Sequence, residues 1–154
     1  MVRPFRPSDL DPLKEITALG FEGVSIDYAI QEHFGVIGGK DWKWRKARHI
    51  QEDVEANAPG IFVYEAGGRP VGYITTRIDA GSKIGWIPNI AIHPEHQGMG
   101  IGKALMQAAL DYLRQSGMLY ARIETLEHNK RGRTFYPSVG FKEIVRQIHY
   151  LARL

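Results

Sequence analysis

The stretch from Ile90 to Lys103, IAIHPEHQGMGIGK, consists of an apolar run, a turn rich in glycine and the beginning of an amphipathic helix. Glycines at a helix start let the backbone approach a ligand closely, because they carry no side chain. The N–H groups exposed there, together with the helix dipole, attract anions. The stretch therefore predicts a strand–turn–helix junction that binds a phosphate or pyrophosphate group.

Two familiar phosphate loops fit this turn badly. A Walker A loop has four residues between its first glycine and its Gly-Lys pair, whereas three residues separate Gly98 from Gly102 here. The dinucleotide fingerprint needs a third glycine where Lys103 stands. The spacing that fits is Gln-x-x-Gly-x-Gly, formed by Gln97, Gly100 and Gly102. A glycine-rich turn without a ligand is the alternative interpretation.

Hydrophobic periodicity elsewhere predicts an α/β chain. The predicted strands run from Val2 to Arg6, Ile61 to Tyr64, Val71 to Ile78, Ile84 to Ile92 and Leu119 to Ile123, with an extended stretch from Phe141 to Leu154. The predicted helices run from Ser8 to Gly20, Ile26 to Phe34, Asp41 to Val54, Ile101 to Gly117 and Lys130 to Val139. A meander followed by strand–helix–strand implies both antiparallel and parallel pairing. We expect residues 1–154 to form a single domain.

Composition narrows the functional classes. With 44% hydrophobic and 24% charged residues, the chain is globular, and it has no apolar run long enough to span a bilayer. The absence of cysteine excludes disulfides and a cysteinyl acyl-enzyme and agrees with a cytoplasmic location. The net charge of +3 favours a small anionic ligand and is too weak alone to indicate nucleic acid. No histidine and carboxylate spacing predicts a metal site.

A second motif, NKRGRTFYPSVGF, runs from Asn129 to Phe141. With the glycine turn, it resembles the GNAT N-acetyltransferase family, in which Asn is followed by a small residue, an apolar–Tyr pair and Gly-Phe. Gly132, Tyr136 and Gly140 occupy these places. The resemblance extends from Ile61 onward and is closest to the branch that acetylates ribosomal-protein and peptide N-termini. It implies a GNAT fold, with a mixed central sheet of six or seven strands and about four flanking helices.

The resemblance also implies acetyl-CoA as the acetyl donor. Main-chain groups of Ile90, Ala91 and Ile92 would hold its pantetheine arm, and Asn129 would contact the cofactor near that arm. The glycine turn would bind the pyrophosphate. The turn residues implied as cofactor-binding are Gln97, Gly98, Met99, Gly100, Ile101, Gly102 and Lys103.

For catalysis, the resemblance implies Tyr136 as general acid to the departing thiolate and Glu124 as the base for the amine, acting directly or through water. Direct attack in a ternary complex is the simplest mechanism, because no cysteine is present. Each residue also has a purely structural interpretation. Tyr136 could be a core residue, and Glu124 could form only an ion pair with Arg122. Asn129 could only cap the helix that begins at Lys130.

The acceptor is left open by the sequence. A peptide or protein N-terminus is favoured by the match at Glu124, and a small-molecule amine such as a polyamine, an amino acid or an aminoglycoside is the alternative. A non-catalytic acyl-CoA sensor is a further hypothesis. Basic residues around Trp42 and Trp44 allow a nucleic-acid-binding module. This hypothesis ranks low because Trp44 shares helical spacing with Ile50 and Val54, which predicts that Trp44 faces the core and that the charges form a solvated face. The same basic segment could recognise an acceptor that carries a carboxylate.

The sequence departs from the family at three places. Gly132 replaces the usual alanine, and Pro137 directly follows Tyr136. The stretch from Lys142 to Leu154 contains no residue that marks a turn, whereas the family usually ends in two strands joined by a loop. We therefore expect one long C-terminal strand, or a strand completed by a second subunit in a homodimer.

Overall fold

The computed structural model describes residues 1–154 and contains six strands and five α-helices. The strands are β1 (Val2–Pro4), β2 (Phe62–Ala66), β3 (Arg69–Ile74), β4 (Ile84–Trp86), β5 (Ile90–Ile92) and β6 (Tyr120–Arg122). The helices are α1 (Leu10–Gly20), α2 (Ile26–Phe34), α3 (Trp42–Asn57), α4 (Ile101–Gln115) and α5 (Lys130–Ser138). The predicted α/β class is confirmed, with one helix more than the family resemblance implied.

The strands form two sheets. Antiparallel β1, β2, β3 and β5 lie side by side in that order, and β4 pairs in parallel with β6. In the first sheet Tyr73 lies opposite Ala91, and in the second Gly85 lies opposite Ala121. Both the antiparallel and the parallel pairing predicted from the order of elements are therefore present.

Helices cover both faces of the four-stranded sheet. On one face, Leu13 of α1 and Ile50 of α3 pack with Tyr73, and all three are fully buried. On the other face, Leu105 of α4 packs in a second buried cluster with Ile87. Burying each such side chain contributes about 1.5–3 kcal/mol to folding. None of the five helices combines the length and the apolar composition required to cross a membrane.

Side-chain caps fix the starts of α2 and α3. Ser25 Oγ accepts from the N–H of Tyr28 at 3.0 Å, and Asp41 Oδ1 accepts from the N–H of Trp44 at 2.9 Å. The prediction that Trp44 faces the core is wrong: Trp44 is 43% exposed, whereas Trp42 is 5% exposed. The two rings point about 200° apart around the helix axis, and α2 covers the side on which Trp42 meets Tyr28 edge-on at 5.3 Å.

The strand predicted from Ile84 to Ile92 is two strands, β4 and β5, separated by residues 87–89. Pro88 interrupts the ladder because it has no N–H to donate. Ile87 is fully buried among the α4 core residues. The prediction of one continuous strand is therefore wrong, and β4 and β5 belong to different sheets.

The break is a β-bulge. Trp86 and Arg77 exchange backbone hydrogen bonds of 2.9 and 2.7 Å, and the next pair is formed by the N–H of Thr75 with the carbonyl of Asn89 at 2.9 Å. One residue on the β3 side therefore lies opposite two residues on the other side. An extra residue of this kind bends the strand and increases its twist, and bulges are common beside active sites.

The C-terminal strand expected beyond Phe141 is absent. The last backbone N–H bonded within the chain is that of Phe141, which donates to the carbonyl of Tyr136 at 3.0 Å. Ile144, Ile148 and Tyr150 are 86%, 75% and 89% exposed. A strand requires a partner for its backbone groups, and the tail reaches no strand edge of its own chain.

Candidate active site

The glycine turn presents a continuous row of unpaired donors. From Gly98 to Lys103, six consecutive backbone N–H groups donate to no acceptor within the protein, and the first intrahelical bond of α4 is from Ala104 to Gly100 at 3.2 Å. Gly98 and Gly100 have φ values of 79° and 78°, a conformation that favours glycine. The chemistry that satisfies such a row at a helix start is an anion, so the turn fits a phosphate group.

Neighbouring side chains hold this turn in place. Gln97 Nε2 donates to the carbonyl of Ile92 at 3.1 Å, which ties the turn to the end of β5. Ile101 is 4% exposed and anchors the first turn of α4 in the core. A Cβ at Gly102 would lie 3.2 Å from the side chains of Ile92 and Phe135, so glycine allows the close approach of α4 to α5. The side chains of Met99 and Lys103 are exposed.

Strand β5 presents a free edge that leads to the turn. Ala91 lies opposite Tyr73 of β3, so the backbone groups of Ile90 and Ile92 point away from β3. Gln97 occupies the carbonyl of Ile92. The N–H and C=O of Ile90 and the N–H of Ile92 are therefore available to an extended ligand.

A gap opens between this edge and β6. The parallel pair of β4 and β6 ends where the N–H of Ile87 donates to the carbonyl of Arg122 at 3.0 Å. Beyond this bond the chains separate, because β5 follows the bulge into the first sheet. The free edge of β5 and the end of β6 thus form the two sides of an open V.

The second motif forms the start of α5. Asn129 Oδ1 accepts from the N–H of Gly132 at 3.2 Å, and its Nδ2 donates to Thr125 Oγ1 at 2.9 Å, so Asn129 does cap the helix. A Cβ at position 132 would lie 2.8 Å from Thr125 Oγ1 and 3.1 Å from the ring of Tyr136. Glycine replaces the family's alanine at a position with no room for a methyl group.

Tyr136 lies on α5 with its ring packed against Phe135 and Phe141, at centroid distances of 5.6 and 6.2 Å. Burial raises the pKa of Tyr136 to about 12. No group of the protein accepts from or donates to its hydroxyl, so the phenol is protonated at neutral pH and its hydrogen-bonding capacity is unused. Pro137 does not end the helix, which continues to Ser138.

Glu124 follows β6 and lies beside Trp86 of β4. The indole Nε1 of Trp86 donates to Glu124 Oε2 at 2.7 Å, and the other carboxylate oxygen forms an ion pair with Arg122. The ion pair with Arg122 is therefore present and exposed, as the ion-pair interpretation requires, and Glu124 also bonds to a tryptophan that the sequence did not single out. Trp86 and Arg122 are register partners across the parallel pair, which only the strand pairing reveals.

A buried polar network connects α3 to the bulge and supports it. Asp53 of α3 is 1% exposed, and its Oδ2 accepts from Thr75 Oγ1 and from Asn89 Nδ2, each at 2.7 Å. Arg77 donates to Asp53 Oδ1 at 2.7 and 3.1 Å. Lys46 Nζ donates to Asn89 Oδ1 at 2.7 Å, and burial lowers the pKa of Lys46 to about 8. These residues carry no motif, so sequence analysis missed them.

The basic segment around the start of α3 is partly solvent-exposed. The ring of Trp44 lies between Lys40 Nζ at 4.9 Å and the Arg48 guanidinium carbon at 5.1 Å. His49 Nε2 lies 3.2 Å from Asp27 Oδ2, and this hydrogen bond raises the pKa of His49. The segment thus presents an exposed surface of cationic side chains around Trp44, next to the contact of His49 with Asp27 of α2.

Known proteins with similar sequences carry acetyltransferase names. An uncharacterized N-acetyltransferase of Methanocaldococcus jannaschii is 26% identical over 147 residues, which are 92% of this chain and 60% of that protein. The mycothiol acetyltransferase of Thermobispora bispora is 27% identical over 114 residues, covering 71% of this chain and 39% of that protein. The chain therefore spans only part of the length of these two relatives.

Solved structures share the fold. A Pyrococcus horikoshii OT3 protein superposes with a TM-score of 0.77 at 22% identity, covering 96% of this chain and 91% of the other. The PaiA N-acetyltransferase of Thermoplasma acidophilum, in complex with coenzyme A, superposes with a TM-score of 0.73 at 20% identity, covering 92% and 89%. The family model of the acetyltransferase (GNAT) family matches residues 26–141, which is more than half of the sequence. The chain therefore belongs to the acetyltransferase (GNAT) family.

Proposed function

We propose that this protein is an acetyl-CoA-dependent N-acetyltransferase that acetylates a primary amine by direct attack in a ternary complex. The observation that carries the proposal is the row of six unpaired N–H groups from Gly98 to Lys103, placed directly after the free edge of β5. The two features together suit a ligand that has a diphosphate at one end and an extended amide-containing arm at the other.

In this proposal the backbone of β5 holds the donor. The free groups of Ile90 and Ile92 bind the pantetheine arm, Gln97 to Lys103 bind the pyrophosphate, and Asn129 contacts the arm from α5. When bound, acetyl-CoA supplies a thioester whose carbonyl carbon the amine attacks. The free N–H of Ile90, the first after the bulge, polarises that carbonyl, a contribution of about 10²–10³ in rate for a well-placed donor.

Tyr136 is the proposed general acid. Its pKa of about 12 keeps the phenol protonated at neutral pH, and its hydroxyl is free of internal hydrogen bonds. A proton held on this oxygen is available to the departing thiolate. Phe135 and Phe141 restrict the ring, which keeps the hydroxyl in one direction.

Glu124 is the proposed base. An α-amine titrates near ~8 and a lysine side chain near ~10.4, so a proton must be removed before attack. The carboxylate is accessible, and its bonds to Trp86 and Arg122 fix its position beside the strand pair where the V begins. It acts directly or through one water.

Substitution of each proposed catalytic residue, compared with the same substitution of an exposed residue of that type, tests these roles. We expect Tyr136→Phe and Glu124→Gln to lower kcat by about 10²-fold or more, with the Kd of coenzyme A from calorimetry nearly unchanged. Tyr120→Phe and Glu127→Gln are the controls, because both side chains are exposed. Unchanged turnover in Tyr136→Phe or Glu124→Gln would remove the corresponding role. No heat of binding with saturating coenzyme A would remove the proposal as a whole.

A peptide or protein N-terminus is the proposed acceptor class. The support is the match of Glu124 to the N-terminal acetyltransferase pattern. A small-molecule amine is the second candidate, supported by the relatives named mycothiol acetyltransferase. Release of free thiol across a panel of peptides, amino acids, polyamines and aminoglycosides, followed by product mass, decides between them.

The same experiments separate the other classes. Coenzyme binding without thiol release for any amine would support an acyl-CoA sensor. The exposed ring of Trp44 between Lys40 and Arg48 is the feature that favours a nucleic-acid surface. Binding of RNA or DNA that weakens steeply with salt would support that function. A cytoplasmic location belongs to the proposal, because the reaction consumes acetyl-CoA, and cell fractionation tests it.

We also propose a homodimer in which the C-terminal tail of one copy adds to the β6 edge of the second. The tail exposes Ile144, Ile148 and Tyr150, and the free edge of β6 exposes Leu119 and Tyr120. Donor and acceptor surfaces thus lie on the same chain, as a two-fold exchange requires. Light scattering of the full chain should give twice the monomer mass, and a chain ending at residue 141 should be monomeric. A monomeric full chain would overturn the dimer.

Cysteine-specific cross-linking tests the same contact, because the chain has no natural cysteine. The double variant Leu119→Cys/Ile148→Cys, treated with a bis-maleimide, should give a covalent dimer. A cross-linked monomer would instead show that the tail pairs within its own chain.

A further inference from the structure

Two strands, β4 and β6, and the segment that follows β3 place an arginine, a tryptophan and an arginine side by side. Trp86 of β4 forms a backbone bridge with Arg77 on one side and lies opposite Arg122 of β6 on the other. The guanidinium carbons of Arg77 and Arg122 lie 5.3 and 4.6 Å from the centroid of the indole ring. We refer to these three residues as the Arg–Trp–Arg row.

The row faces away from α4. A Cβ at Gly85 would lie 2.7 Å from Leu113, so Gly85 faces α4. Successive residues of a strand point to opposite faces, and Trp86 therefore points to the other side. Asp53 of α3 contacts the row on this side through Arg77.

Both guanidinium groups retain unused donors. Each carries five N–H bonds. Arg77 uses Nε and one bond of Nη2 on Asp53, and Arg122 uses Nη1 on Glu124. Their side chains are 34% and 51% exposed, so the remaining N–H groups are accessible.

A cavity of about 330 Å³ opens in front of the row, and Ile78, Asp79, Ser82 and Ile84 complete its wall. Asp79 forms no ion pair with either arginine: its oxygens accept from the N–H groups of Gly81 and Ser82 and from the hydroxyl of Ser82. These bonds lower the pKa of Asp79 and hold its carboxylate in its own turn. The hydrogen-bond donors that remain free in the cavity are therefore the unused N–H groups of the two arginines.

The cavity lies at the acceptor end of the proposed active site. The row stands on β4, before the bulge, whereas the glycine turn follows β5. From Trp86 to Ile92 an extended chain covers about 20 Å. A donor bound along β5 from the turn to the bulge leaves the cavity beyond its acyl end. Glu124, the proposed base, touches the row through Trp86 and Arg122.

We propose that the Arg–Trp–Arg row is the acceptor subsite and binds a carboxylate of the acceptor, while the amine reaches Glu124. The acceptor class is then an amine with a nearby carboxylate: an amino acid, or a peptide with an acidic residue close to its N-terminus. The planar guanidinium groups suit a carboxylate because they offer parallel N–H donors. This inference rests on the proposed function for the identity of the reaction, but carboxylate binding itself does not require turnover.

Fluorescence titration without coenzyme tests the binding step alone. Trp86 lines the cavity, so an acidic peptide should change its fluorescence emission. The matched peptide with Asn in place of Asp should bind at least ~10-fold more weakly. Trp44→Phe should keep the signal, and Trp86→Phe should lose it. Equal Kd values for the acidic and amide peptides, or no signal with any acceptor, would overturn the proposal.

Variants of the row test the assignment in a second way. Arg77→Lys keeps the charge beside Asp53 and loses the planar fork, and we expect it to weaken acidic peptides ~10-fold and leave amide peptides unchanged. Melting temperature confirms folding. If Arg77→Lys is unstable, Ser82→Glu places a competing carboxylate at the cavity rim and should produce the same selective loss. A uniform effect on both peptides would contradict the subsite.

The acyl donor could bring a carboxylate to the same row. A comparison of acetyl-CoA with succinyl-CoA separates the two sources. A preference for succinyl-CoA, without any preference for acidic acceptors, would overturn the acceptor assignment. Failure of coenzyme binding would refute the proposed function, whereas the coenzyme-free titration would still decide whether the row binds a carboxylate.

Discussion

Replacement of Thr75 by valine should uncouple the bulge from its support with little change in shape. Thr75 is fully buried, and its hydroxyl donates to Asp53 Oδ2 at 2.7 Å and accepts from the N–H of Asn89 at 3.1 Å. Valine keeps the volume and removes both bonds. The N–H of Asn89, in the pair that borders the bulge, is then left without a partner, because Asn89 is 4% exposed.

The magnitude follows from the two lost bonds. A hydrogen bond to a charged group is worth about 1.5–3 kcal/mol, and an unsatisfied buried donor costs about 1–3 kcal/mol. The two contributions overlap, so we expect Thr75→Val to lower the free energy of unfolding by about 3 kcal/mol. At about 2–4 °C per kcal/mol for a chain of this size, Tm should fall by about 6–12 °C.

Thr75→Ser is the matched control, since it keeps the hydroxyl and removes one methyl group at about 1 kcal/mol. Urea unfolding with an unchanged m-value measures the stability of both variants. If the bulge positions the thioester, kcat of Thr75→Val should fall about 10-fold or more while the Kd of coenzyme A changes little, and the serine variant should keep kcat. A valine variant as stable as the serine variant would refute the reasoning about the network.

Three further predictions concern the turn, the basic segment and a crowded glycine. Gly100→Ala should weaken coenzyme A binding about 10-fold, because a φ of 78° costs alanine about 1–2 kcal/mol. Gly117 lies at the far end of α4 with a φ of 83°, so Gly117→Ala should lower stability without changing the Kd of coenzyme A. The bond to Asp27 raises the pKa of His49, so protonated His49 should stabilise the protein at pH values below its unfolded-state pKa of 6.5. This contribution should be lost as the pH rises through the folded-state pKa. His49→Asn should therefore cost more stability at pH 6 than at pH 8, and an equal cost at both pH values would contradict this. Gly60→Ala would bring a Cβ to 2.1 Å from Thr76 Oγ1, and it should lower the urea midpoint by an amount equivalent to about 3 kcal/mol or more. An unchanged midpoint would show that the site can relax.

Prediction from the sequence succeeded where the signal was local. The caps at Asp41 and Asn129 and the glycine turn each depend on residues within a few positions of one another. The error at Trp44 arose because helical spacing identified a face of α3 but not which neighbour would cover it. The prediction of a continuous strand from Ile84 to Ile92 failed for a related reason: the bulge depends on Thr75 and Arg77, which lie in a different segment, directly after β3.

The sequence by itself determined the α/β class, the glycine turn and the motif around Tyr136, since short-range periodicity, capping and backbone freedom encode them. Only the tertiary structure decided that Glu124 meets Trp86, that Asp53 supports the bulge and that two arginines flank one indole ring. These contacts join residues far apart in the chain, and their geometry follows from strand register and helix packing. Register depends on the whole core, so no single segment of sequence specifies it.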